Sequence, residues 1–389
     1  MQSEIRPGPV ALFGSGETSS NGGKVFDMLL RGMPASPRLV LLETPAGFEL
    51  NSPQVIGRIA DFIQRRLQNY QPQLTVIPAR RRGTDLSPDN PQVVAPLLEA
   101  DLIFMGPGSP SYAVRQLRDS LAWHYLVARH CLGATLALAS AATVAISDYS
   151  LPVYEIYKVG EDLNWKEGLN FFGLYGLPLV FIPHWNNNDG GDELDTSRCY
   201  MGKSRFASLM AMLTNDHTVL GIDENTALLL DIQAGVGRVV GLGGVTMLHT
   251  GHEHYSPETD MNGSGLAEAA EKIQGHVHQY KKEQSFSLSA CCTFQIPPAG
   301  QGLPPEVWER ALEAQAHLEQ LRRAVPQSRP GSVSVDEAPS EIRKLVAERQ
   351  EARKRKDWAG ADDIRAQIKI LGWNIEDTLE GTKLMKEKK

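Results

Sequence analysis

Ser140 stands where an apolar run, TLALA, stops among small residues and the chain restarts as AATVAIS. A serine between a buried strand and a helix projects above the sheet, and the first N–H groups of the helix face a developing oxyanion, as in a nucleophile elbow. The pattern departs from GxSxG, because Leu138 and Ala142 occupy the glycine positions and only Ala142 is nearly as small. The bulk of Leu138 opposes a strained serine conformation. A buried serine in a run of small residues is the competing reading, and spacing alone leaves both open.

Other clusters carry less chemistry. His249, His252, His254, His276 and His278 crowd one stretch, but their spacing is neither HExxH nor that of a zinc finger, so exposed loop histidines and no metal are expected. NNNDGGDELD holds calcium-type side chains without a twelve-residue EF-hand register, which predicts a turn-rich loop over a cleft. GSGETSSNGG has neither a Walker pattern nor a full GxGxxG, and no cofactor is expected.

The elements that must position these residues follow a strand-then-helix rhythm from residue 9 to about 145. PVALF, RLVLLET, LTVIPA and DLIFMG are short, continuous and apolar, and KVFDMLLRGM, PQVIGRIADFIQRRL, PQVVAPLLEA and YAVRQL follow them in turn. Such strands belong to a parallel sheet buried on both faces, so an α/β doubly wound domain is expected, with ligands outside the carboxyl ends of its strands. From Pro178 to about Pro297 shorter strands are expected to complete one edge of the same domain. Residues 304–325 form a helix with Val307, Trp308, Ala311, Leu318 and Leu321 on one face. It packs either on the body or on a second subunit, which leaves a homo-oligomer open. VPQSRPGSVSVDEAPS then has linker composition, followed by two helices, Gly372 as a left-handed cap, and a small hairpin of WNIED and TKLMK.

At 389 residues more than one unit is expected. The boundaries read as 1–300 for the α/β domain, 301–340 for helix and linker, and 341–389 for the terminal module. No run of eighteen apolar residues occurs, and MQSEIRPGPVALFG lacks the pattern of a signal peptide, so a cytoplasmic protein without membrane partners is expected. Cys131, Cys199, Cys291 and Cys292 show no CxxC spacing and read as reduced thiols. The chain carries −7, yet from Glu341 onward 13 Lys and Arg face 10 Asp and Glu, leaving +3 there and −10 elsewhere. An acidic body argues against broad nucleic-acid binding, while the basic appendage permits a local phosphate contact.

The ordered set GSGE (14–17), TPAGF (44–48), GPGSPSYAVRQL (106–117), ASAA (139–142), PHW (183–185) and GIDENTA (221–227) resembles the cyanophycinase and aspartyl dipeptidase family of serine peptidases, over roughly residues 8–250. The resemblance implies a class I glutamine-amidotransferase-like, three-layer fold with a mostly parallel sheet. It makes Ser140 the nucleophile and His184 the general base, with Glu224 as the first choice of orienting acid and Glu155 the second. Gly108 and Ala141 would donate the oxyanion-hole N–H groups, and Arg198 and Arg205 would hold a substrate carboxylate. The implied substrate is a small peptide or isopeptide. Each residue also has a plainer reading: His184 closing a strand against Trp185, Glu224 in a surface turn, and both arginines on the surface.

ERQEARKRKDWAGADDIRAQIKILGWNIEDTLEGTKL (348–384) resembles the carboxyl-terminal tail of cysteinyl-tRNA synthetases. The resemblance implies anticodon contacts at Arg353, Trp358, Asp362 and Asp377. An indole or guanidinium can stack on an unpaired base, carboxylates can accept from base amino groups, and KRK at 354–356 would add phosphate contacts. Trp358 and the aspartates are equally readable as structural. Neither HIGH nor KMSKS occurs, so activation of cysteine is not expected. Two functions stay open: a serine hydrolase with a Ser-His-Glu mechanism and a tRNA-binding tail, or an inactive member of the same fold serving as a binding or regulatory protein linked to tRNA.

Overall fold

Apolar runs bounded by turn residues become fully buried strands: Val10–Phe13, Leu102–Met105 and Thr135–Ala139 have no exposed residue. The structure, a computed structural model, describes residues 6–213, 216–250, 277–324, 332–333, 335–355, 357–378 and 381–386. Its larger sheet runs in the order Ser285–Ser287, Val236–Gly241, Thr226–Asp231, Val10–Phe13, Thr135–Ala139, Leu102–Met105, Arg38–Leu42, Gln73–Ile77. From Val10–Phe13 to Gln73–Ile77 all pairings are parallel. Polar caps start the intervening helices where the sequence supplies them. Ser19 accepts from Gly22 N–H, Ser109 from Tyr112 N–H and Ser120 from Trp123 N–H.

The second half departs from the expectation of one completed edge. Thr226–Asp231, Val236–Gly241 and Ser285–Ser287 do extend the sheet, in antiparallel fashion. Leu179–Ile182, Thr218–Ile222, Val245–His249 and Val277–Tyr280 form a separate four-stranded sheet. The reason lies in the side-chain alternation. Leu179 and Phe181 enter the main core, whereas Val180 and Ile182 enter a second core with Leu209 and Phe206. A strand buried on both faces carries no mark of the sheet it joins.

Helix Pro305–Ala324 sends Val307 and Ala311 into the main core, and Arg310 donates to the Tyr125 hydroxyl at 3.1 Å. Its first half therefore packs on the body of its own chain. The chain divides into two compact units, Met1–Leu67 with Pro72–Leu318, and Gln68–Gln71 with Glu319–Lys389. In the second, helices Ser340–Lys354 and Trp358–Ile370 join a sheet ordered Ser332–Val333, Gly381–Lys386, Trp373–Thr378. Ile342, Val346, Ile368, Trp373, Ile375 and Leu384 form its core, and Gly372 at φ +78° follows the second helix as the expected left-handed residue. Much of the expected linker, 325–331 and 334, lies outside the described residues. Among the described residues no helix is long and apolar enough to cross a membrane.

One buried group makes the first unit sensitive to acid. His130 is wholly enclosed, with Nε2 2.7 Å from the Tyr175 hydroxyl, and burial pushes its imidazole down from 6.5 to about 3. The unfolded chain therefore binds a proton that the folded chain refuses, so this contribution to stability is complete above pH 6.5 and is lost as pH falls toward 3. Within that window the slope from His130 approaches ~1.4 kcal/mol per pH unit. Urea unfolding from pH 7 to pH 4 should show a shallower loss for His130→Gln than for wild type; equal slopes would contradict this assignment.

Candidate active site

Ser140 joins strand Thr135–Ala139 to helix Ala141–Ala145 with φ 51° and ψ −114°. A serine in such a region carries strain of order 1–3 kcal/mol and persists only where its surroundings fix it. Fixation comes from both sides. Thr143 Oγ1 donates to the Leu138 carbonyl at 2.9 Å and to the Phe13 carbonyl at 3.2 Å, tying the helix back to two adjacent strands. Leu138 is fully buried in the main core, so its bulk is absorbed by the sheet layer and the turn forms despite the missing glycine. The obstacle expected from its size is not one.

His184 leaves strand Leu179–Ile182 at φ 53°, its N–H bonded to the Gly14 carbonyl at 2.9 Å and its carbonyl accepting from Cys199 N–H at 3.2 Å. Its Nε2 lies 3.4 Å from Ser140 Oγ, and its Nδ1 lies 2.9 Å from Glu224 Oε1. A carboxylate only accepts, so Nδ1 carries the proton and Nε2 offers its lone pair to the serine hydroxyl. The 3.4 Å separation is at the long end of hydrogen bonding, a spacing that substrate-free catalytic pairs often show. Glu155, the second choice, faces Lys166 at 3.7 Å instead.

Two residues that the sequence reading missed hold Glu224, one at its carboxylate and one at its backbone. Asn187 Nδ2 donates to Glu224 Oε1 at 2.9 Å, and Asn186 Oδ1 accepts from Glu224 N–H at 2.8 Å. Their signal was the position of NNND directly after PHW. Glu17, from GSGE, is half-buried, and desolvation raises its carboxyl above the usual range, opposed by its own backbone hydrogen bond.

Ser140, Gly108 and Ala141 line one cavity of about 220 Å³ together with His184. Ala141 is the first residue of its helix, where an N–H has no intrahelical acceptor. Gly108 has φ +144°, and a Cβ there would fall 2.0 Å from the Pro45 carbonyl oxygen, so only glycine fits. The arginines behave differently from expectation. Arg198 stacks 3.8 Å from the Trp185 ring centroid and donates to the Trp185 carbonyl at 2.8 Å, and Arg205 donates to the Met201 and Tyr200 carbonyls. Neither lines the cavity: Arg198 is held by Trp185, and Arg205 by the turn that carries Cys199 and Tyr200 into it. Burial pushes the Cys199 thiol up to about 12, which keeps it protonated beside the serine.

The acidic loop after His184 is built of turns. Asp189 accepts from the Tyr200 hydroxyl at 3.0 Å, and Asp195 from Ser197 and Lys203 N–H. His249 and His278 face each other across paired strands at 6.3 Å, while His252, His254 and His276 lie outside the described residues. Among the described residues no three His, Cys, Asp or Glu gather as a metal site. In the second unit Trp358 opens its helix and is 59% exposed, Asp362 is exposed one turn on, and Arg353 is half-buried at the end of the preceding helix. Asp377 pairs in register with Thr382, and its side chain, like Lys356, lies outside the described residues.

Residues 335–382 match the cysteinyl-tRNA ligase anticodon binding domain. Over 51 residues the chain is 53% identical to the cysteine–tRNA ligase of Methanosarcina mazei, a stretch that is 13% of this chain and 11% of that protein. Over 56 residues it is 48% identical to cysteine–tRNA ligase 1 of Burkholderia lata, covering 14% and 11% respectively. The chain thus spans only 11% of the length of these relatives. The N-terminal region is similar in fold to a peptidase from an acI-B1 actinobacterium, with a TM-score of 0.53 and 20% identity over 72% of this chain and 97% of that one. A peptidase-like fold and a tail resembling that of cysteinyl-tRNA synthetases therefore share one chain.

The steric limit at Gly108 is open to test. Gly108→Ala should cost about 2–4 kcal/mol of stability in chemical denaturation, through the clash at Pro45 and the unfavourable φ. A loss below about 0.5 kcal/mol would show that the loop can adopt another path.

Proposed function

We propose that the first unit is a serine hydrolase acting on peptide or isopeptide bonds, and that the second unit binds tRNA in the cytoplasm. The observation that carries the first half is the strained Ser140 with its hydroxyl 3.4 Å from His184 Nε2, in line with Glu224. Ser140 Oγ attacks the scissile carbonyl carbon while its proton passes to His184 Nε2. Glu224 stabilises the resulting imidazolium, and the N–H groups of Gly108 and Ala141 receive the oxyanion. Collapse of the tetrahedral species breaks the C–N bond, and His184 returns the proton to the leaving amine. Water, deprotonated by His184, then hydrolyses the Ser140 ester and restores the enzyme.

A fluorophosphonate probe should label the wild-type chain and leave Ser140→Ala unlabelled. Glu224→Gln should retain the fold and lower kcat for a peptide amide by about 10²–10⁴, because the imidazole loses its orienting acceptor. Labelling independent of Ser140, or none at all together with no amide hydrolysis, would leave the chain a binding protein built on a hydrolase fold.

The exposed Trp358, next to Asp362 and following Arg353, supports the second half. An indole offered to solvent at a helix start suits stacking on an unpaired base. Trp358→Ala should weaken tRNA binding by about 1–3 kcal/mol, and binding of the wild type should fall as salt rises. Binding that is unchanged by either would remove tRNA as the partner.

A further inference from the structure

The cavity beside Ser140 has walls of a distinctive kind. Val144 and Val153 are buried along it, and the rings of Tyr157, Tyr200 and His184 follow one another at 5.4 and 6.0 Å between centroids. Among the described residues Lys158 is the only Lys or Arg that lines it, and that ammonium is exposed, 4.9 Å from the Tyr154 ring centroid. Arg198 and Arg205 are committed to backbone carbonyls. An acidic side chain entering here would lose its water without meeting a cation at depth. An apolar or aromatic one would meet rings and methyl groups.

Size and placement narrow the occupant. At about 220 Å³ the cavity is below the usual range for drug-sized ligands and suits a single side chain. Ser140, Gly108 and Ala141 belong to the same lining, so a scissile carbonyl at the serine would carry its acyl-side residue directly into these walls. Resting on the hydrolase reading of Ser140, we infer that this cavity selects a peptide whose acyl-side residue is aromatic or large and aliphatic, in preference to an acidic one. Tyr157 and Tyr200 are its specificity-determining residues.

The test uses N-acetyl aminocoumarin amides of Phe, Leu and Asp with the full chain. Wild-type kcat/KM should favour Phe and Leu over Asp by about tenfold or more. Titration of Ser140→Ala with N-acetyl-Phe-amide and N-acetyl-Asp-amide reads the cavity without chemistry, and the Phe compound should bind the more tightly. Tyr157 is 38% exposed, so Tyr157→Arg leaves the core intact and should move the preference toward Asp. A preference for Asp in either assay, or no binding of the Phe amide to Ser140→Ala, overturns the assignment even where the amides are turned over. Phe-selective binding without turnover by the wild type upholds the cavity and overturns the hydrolase reading alone.

Discussion

A serine backbone at φ 51° and ψ −114° is stable only between two segments that cannot relax, and much of the first unit supplies that constraint. On one side Leu138 is paired with Leu12 and Met105 and buried from solvent; on the other Thr143 bonds back to the strands that flank the turn. Together they fix Ser140 at the carboxyl edge of the sheet, where strands leave their backbone groups to loops. Gly108, Ala141 and His184 line the same cavity as this turn.

Strain extends to the partners of the serine. His184 at φ 53°, Arg198, Cys199 and Tyr200 at 58°, 57° and 69°, and Asn225 at 53° all lie in the left-handed region. Four are held by bonds to a neighbouring segment, His184 to Gly14, Arg198 to Trp185, Cys199 to His184, and Asn225 to Ser15 Oγ at 3.1 Å, and Tyr200 N–H bonds the Thr196 carbonyl within its own turn. Left-handed residues cost free energy in isolation, so their concentration around one cavity marks a surface fixed by the fold rather than by local preference. Arg198 acts within this frame. By stacking on Trp185 and bonding its carbonyl it joins the turn that carries Cys199 and Tyr200 to the residue directly after His184.

The parallel strands were legible because each is a continuous apolar run, but the helices capped by Ser19 and Ser109 begin earlier than expected and the one capped by Ser120 was not expected, because their first turns carry little apolar pattern. Sheet membership in the second half was not legible, since Val180 and Phe181 look alike in sequence while facing different cores. The same limit applied at Ser140. Whether Leu138 blocks or permits the turn depends on which layer receives its side chain, and that is decided by neighbours distant in sequence. Arg198 and Arg205 read as carboxylate ligands because charge was visible and their carbonyl partners were not. Asn186 and Asn187 were overlooked for the converse reason: neutral amides gain meaning only beside Glu224.

Charge is divided between the parts of this chain in a way that bears on both proposed ligands. Residues from Glu341 carry +3 and the remainder −10, so net charge favours a polyanion at the terminal module and opposes it over the rest. With so few cations, phosphate contacts alone would give weak and salt-sensitive binding, and on the proposed reading selectivity for a single-stranded loop would come from stacking at an exposed ring such as Trp358. The cavity at Ser140 is governed by the opposite physics. Its walls are methyl groups and rings, and it gains from burial of an uncharged side chain, which salt scarcely affects. Ionic strength would therefore separate the two proposals: raising it would weaken a polyanion on the tail and leave an apolar preference of the cavity in place.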